Sequence, residues 1–252
     1  MVQRSLSWRW NSATLRSAGL FVAVAALGLA PACDDHPVAP GNTASTNLRV
    51  LHLSPDAPAV DVFLNQGTSA AVTGLEFSEG TDYLQAPSGT YRVDVTPAGN
   101  PVSNAVLTVP GLSLGADRFY TAVALDELAS IQALAVEDNF SALGTGMIRV
   151  RAIHAAATVG QVDIWNIPAT GSPSLLYENV DFAMVGGVID LAAGAYTLGF
   201  DLDDDATPDV VFSLPSLAAG TMANVFAVSE MGGTAFLLAQ LQSGATVRID
   251  AN

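Results

Sequence analysis

The chain has 252 residues, half of them hydrophobic and 13% charged, with 22 Gly and 13 Pro. That length suits one large domain or two of about 100 residues each, and the apolar fraction excludes a wholly disordered chain. Nine Arg and no Lys stand against 24 acidic residues, a formal charge of −15, which disfavours binding to nucleic acid or docking on anionic lipid through a basic patch, and suits divalent cations.

The first 32 residues read as a signal peptide. Arg4, Arg9 and Arg16 precede the apolar run Ala18-Gly-Leu-Phe-Val-Ala-Val-Ala-Ala-Leu-Gly-Leu-Ala30, which is short for a membrane span and suits a signal-peptide core. Without this acid-free segment, six Arg face 24 acids, a net charge of −18. Ala30-Pro31-Ala32 then leads into Cys33, the only cysteine. Small residues before a lone Cys resemble the lipobox of bacterial lipoproteins, and the resemblance implies that Cys33 carries the lipid. Simple secretion with an incidental Cys is the competing reading, because Ala-x-Ala alone satisfies a signal peptidase. Leu29 also sits one place further from Cys33 than a lipobox prefers. A single Cys leaves no disulfide framework, so the core must hold the fold. Residues 33–46 are dominated by Pro, Gly, Ser, Thr and Asn and read as a flexible tether.

Beyond the tether the sequence repeats itself. Arg49-Val-Leu-His52 is followed by Asp61, and Arg151-Ala-Ile-His154 by Asp163, at an offset of 102. Gly89-Thr-Tyr91 matches Gly194-Ala-Tyr196 at an offset of 105, which also aligns Phe77 with Phe182 and Val123 with Val228. This divides the chain into repeat 1 (47–145) and repeat 2 (146–252), expected as two separate beads. Tyr91, Val93 and Val95 alternate with Arg92, Asp94 and Thr96, as in a half-buried strand. Short apolar stretches recur between Gly, Pro, Asn and Asp turns. The expected fold is therefore all-β, with two tandem antiparallel β-sandwich domains of immunoglobulin-like type.

The stretch Leu48-Arg-Val-Leu-His-Leu-Ser-Pro-Asp-Ala-Pro-Ala-Val-Asp-Val62 resembles the opening of a bacterial and archaeal cell-envelope repeat family of unknown function. The Gly-x-Tyr strand and the Leu112, Gly115, Tyr120, Val123 element fit it too. In repeat 2 the Ser-Pro-Asp-Ala-Pro segment becomes Ala155-Ala-Ala-Thr-Val159. The resemblance implies an extracytoplasmic sandwich, often duplicated behind a lipoprotein signal, and no activity.

Three sets of residues invite chemistry. His52 with Asp61, and His154 with Asp163, are acid–base or metal candidates if they meet across a hairpin. Strand parity places His52 with Leu48 and Val50 on the core face, which favours a structural hydrogen bond. Pro55-Asp56-Ala57-Pro58 reads as turn chemistry. Asp201, Asp203, Asp205 and Asp209 alternate like half of a calcium loop, with Ala206 where such a loop has Gly and no twelfth-place Glu. Weak Ca²⁺ binding and a solvated acidic turn are the two readings there. No nucleophile elbow, phosphate loop or zinc motif occurs. The expected function is a non-catalytic lipoprotein of the cell envelope that binds or scaffolds an envelope polymer or protein. The alternative is a hydrolase of envelope polymers.

Overall fold

The computed structural model describes residues 44–252. Cys33, the signal-peptide reading and the start of the tether lie outside the described residues. Among these residues no helix is long and apolar enough to cross a membrane.

Repeat 1 folds into eight strands: β1 (Ser45–Leu53), β2 (Val60–Leu64), β3 (Val72–Leu75), β4 (Leu84–Pro87), β5 (Gly89–Pro97), β6 (Leu107–Leu114), β7 (Phe119–Leu125) and β8 (Gln132–Glu137). Repeat 2 adds nine: β9 (Met147–His154), β10 (Val162–Asn166), β11 (Ser174–Val180), β12 (Ile189–Ala192), β13 (Gly194–Asp201), β14 (Val210–Leu217), β15 (Met222–Ser229), β16 (Ala235–Leu241) and β17 (Thr246–Asp250). The sheet orders β4-β1-β7-β8 and β3-β2-β5-β6 recur as β12-β9-β15-β16-β17 and β11-β10-β13-β14. The sheets are not purely antiparallel as expected: β1 runs parallel to β7, and β9 to β15.

Each repeat encloses an apolar core between its two sheets. Leu48, Val50, Val62, Val95 and Tyr120 are buried in the first, and Ile164, Phe200, Phe212, Val225 and Leu237 in the second. A third core lies between the repeats. Leu51, Leu53, Val123 and Leu125 from one side meet Ile153, Phe226, Val228, Phe236 and Leu238 from the other. The sheets containing β1 and β9 therefore pack back to back, and the described residues form one compact unit, not two separate beads. Strands covered on both faces need apolar side chains at nearly every position, which explains the runs Ala122–Leu125 in β7, Val225–Val228 in β15 and Ala235–Ala239 in β16. Exposing this middle core would cost about 1.5–3 kcal/mol for each large side chain.

Two expectations shift. The register equates Val123 with Phe226, not with Val228, because Leu51 pairs with Val123 and Ile153 with Phe226. The repeats drift apart in count in the hairpin after β5, where Val95 pairs with Leu107 but its counterpart Phe200 pairs with Val210, two residues sooner. In β5, Asp94 and Thr96 are buried along with the apolar set. Arg92 folds over Asp94 with Nε and Nη2 donating at 2.8 Å, and Thr108 Oγ1 donates to it at 2.6 Å. These donors hold the Asp94 carboxyl below its ordinary range, the Arg92 bond foremost.

Candidate functional site

His52, the penultimate residue of β1, and His154, the last of β9, have their rings fully covered. The Ser54 amide donates to His52 Nδ1 at 3.4 Å, so in the neutral ring Nε2 carries the proton, and it donates to the Pro58 carbonyl at 3.2 Å. His154 repeats the pattern, with the Ala156 amide at 3.3 Å and the Gly160 carbonyl at 2.8 Å. Each neutral ring is thus fully satisfied and ties down the loop that crosses between the two sheets. Burial pushes both pKa values down, opposed by the backbone carbonyl.

Asp61 and Asp163 do not bond to these rings. Asp61 accepts the amides of Gly74 and Gly99, both at 2.8 Å, and Asp163 accepts that of Asn179 at 2.6 Å. Gly74 and Asn179 occupy equivalent bulge positions with φ of 63° and 53°, a left-handed conformation that Gly and Asn tolerate best. The repeated carboxylate therefore anchors a left-handed residue near the end of β3 and of β11.

In the β13–β14 hairpin, Asp201, Asp203 and Asp209 bring one carboxylate oxygen each within 4.8 Å of one another. Asp205 stands outside this trio, and its Oδ1 accepts the Thr207 amide at 2.8 Å. Asp201 is buried and accepts the amides of Asp203, Asp204 and Ala206, while Asp209 accepts that of Leu202. The turn is thus built by its own carboxylates. Asp203 is exposed, and its carboxyl is raised by the charge of Asp205 first, then by burial and the charges of Asp209 and Asp201.

Sequence reasoning missed the junction between the repeats. Asp138, just after β8, is buried and receives Tyr83 Oη at 2.6 Å, Thr121 Oγ1 at 2.7 Å and Asn224 Nδ2 of repeat 2 at 2.6 Å. Arg49 lies beside it at 3.6 Å, 1% exposed. It donates through Nε to Thr121 and through Nη1 to the Leu241 carbonyl, and its guanidinium packs 4.6 Å from the Tyr83 ring centroid. Desolvation lowers the Arg49 pKa against the support of Asp138, and burial raises that of Tyr83. Around this network opens a cleft of about 530 Å³ lined by Arg118, Phe119, Glu137, Asn139, Phe140 and Arg151. Its size falls in the range of small-molecule sites. Phe119 and Phe140 meet edge to face, and Tyr83 packs on both. Four of the six Arg after the leader (Arg49, Arg118, Arg149, Arg151) gather here, a concentration that only a count of the rare basic residues would have flagged.

A domain of unknown function (DUF4397) is found over residues 46–165. That span takes in all of repeat 1, then β9 and most of β10. No curated protein matches the chain. A solved structure described as "Alpha-glucan binding by a streptococcal virulence factor" is similar at 12% identity, over 72% of this chain and 92% of that one, with a TM-score of 0.24. The domain match covers the His52 and Asp61 anchors and their counterparts His154 and Asp163. It stops before the acidic hairpin.

Proposed function

We propose that the protein is a non-catalytic module of the cell envelope, held there by a lipid on Cys33, that binds or scaffolds a partner through two tandem immunoglobulin-like sandwiches. One observation carries the reading. All four ring nitrogens of His52 and His154, and three of the four carboxylate oxygens of Asp61 and Asp163, are bonded to backbone groups. A general acid or base needs a free lone pair or proton facing a substrate, and these groups spend theirs on loops. The junction cleft supplies aromatic faces and guanidinium groups where an envelope polymer or protein would meet the body.

The test is capture from envelope fractions by the full chain. A partner retained by wild type and lost in Arg118→Ala and Phe140→Ala supports the module, and Cys33→Ser moves the protein from the membrane to the soluble fraction. Release of fragments from envelope polymers by wild type, abolished in His52→Gln with His154→Gln, would overturn it in favour of a hydrolase. Weak calcium binding at Asp201, Asp203 and Asp209 is a second reading, favoured by the approach of their oxygens.

A further inference from the structure

The second sandwich contains a cavity of about 40 Å³ between its sheets, lined by Val150, Ala152, Ile164, Tyr177, Leu198 and other apolar side chains. The polar side chains facing it are already bonded. Tyr177 Oη donates to the Gly187 carbonyl at 2.8 Å, Tyr196 Oη to the Ala192 carbonyl at 2.6 Å, and both nitrogens of His154 are used. By strand parity Arg151 lies on the opposite face of β9 from Ala152. An apolar space without free hydrogen-bonding groups excludes water and accepts apolar matter.

The first sandwich shows how the space arises. Leu48 pairs with Tyr120 and Val50 with Ala122, while in repeat 2 Val150 pairs with Ala223 and Ala152 with Val225. Leu48, Val50 and Tyr120, all buried in the first core, are therefore replaced by Val150, Ala152 and Ala223. Bulk is regained opposite Ala152 at Val225, the counterpart of Ala122, and further along the strands at Ile164 and Phe200, the counterparts of Val62 and Val95, so the net loss lies at Leu48 and Tyr120. The edge of the sandwich differs as well. Tyr177 takes the place of Val72 and lies over Gly186, where a Cβ would come within 2.6 Å of its ring. Gly186 in turn replaces Thr81, each donating its amide to the matching β-strand carbonyl, Ala152 or Val50. A single aromatic ring resting on a glycine pair thus closes an underfilled core.

We propose that the interior of the second sandwich accepts an unbranched aliphatic chain, which enters between Tyr177 and Gly186. A space this small, walled by aliphatic and aromatic side chains, suits the thin section of a methylene chain and offers no hydrogen bond to a polar ligand. The chain would come from a free alkyl compound or from the lipid on Cys33, and the second source rests on the lipid-anchor reading. The experiment titrates 1-butanol, 1-hexanol and 1-octanol into the full chain and into Cys33→Ser by calorimetry. Affinity is expected to rise about fourfold with each methylene that the cavity takes up. Ala152→Val, which restores the residue of repeat 1, should abolish binding, and Leu198→Phe fills the same space if the first variant folds poorly. The melting temperature without alcohol reports folding for both. Uptake by both proteins identifies a free alkyl ligand, and uptake by Cys33→Ser alone shows that the protein's own lipid fills the site. No binding in either protein, or binding undiminished in both filled variants, overturns the proposal.

Discussion

Replacing Asp138 by Ala removes the one anion in the core between the repeats that balances Arg49. Arg49 is 1% exposed, so its guanidinium has no water to turn to once the carboxylate is gone. Three further donors lose their acceptor at the same time: Tyr83, Thr121 and, across the junction, Asn224. Breaking a buried ion pair from one side costs about 3–5 kcal/mol, because an uncompensated charge stays in the interior. The remaining bonds from Arg49 Nε to Thr121 and from Nη1 to the Leu241 carbonyl place the loss at the lower end of that range. The measurement is urea unfolding of the full chain followed by circular dichroism. With a slope near 2–3 kcal/mol per molar urea, the midpoint should fall by roughly 1–2 M. The double variant Arg49→Met/Asp138→Leu removes both charges and should recover more than half of the loss, since apolar replacement of a buried pair is often neutral. A loss below about 1 kcal/mol for Asp138→Ala, or a double variant no more stable than the single, would refute the reasoning.

Two other predictions concern titration and ions. Both histidines are neutral when buried and have lowered pKa values, so below pH ~6.5 the unfolded chain takes up protons that the native chain refuses. Stability is therefore complete above that pH and declines as pH falls through it, by up to about 1.4 kcal/mol per pH unit for each ring. Melting temperatures between pH 8 and 5 check this, and His52→Gln/His154→Gln should flatten the dependence; an equal slope in that variant assigns the effect elsewhere. For the acidic hairpin, millimolar CaCl₂ should raise the melting temperature over chelator at matched ionic strength, with a dissociation constant of roughly 0.1–1 mM. Asp203→Asn/Asp205→Asn should remove the rise, because Asp203 is one of the converging ligands and Asp205 is the charge that most strongly raises it. Equal melting in both buffers makes the hairpin a solvated turn.

Local pattern made much of the molecule legible from sequence alone. Period-two alternation marked Tyr91, Val93 and Val95 as inward, and the same parity placed His52 on the core face, where it is buried. The repeated His and Asp, the Gly-x-Tyr strand and the acidic hairpin were all visible because each depends on residues close together in the chain. Tertiary structure decided what lies on the other side of a strand. Alternation reports one buried face and is silent on whether a second sheet covers the opposite one, so the back-to-back core had to wait for the fold. In the sequence Arg49 was only the first residue of the repeated Arg-x-x-His stretch, and its surroundings, Asp138 and Asn224, lie 89 and 175 positions away. The cavity of the second sandwich was hidden for the same reason. Leu48 to Val150 and Val50 to Ala152 are mild changes in a line of text, and Tyr120 to Ala223 became an equivalence only through strand register. Packing is a sum over neighbours from distant segments, and only their assembly shows where that sum falls short.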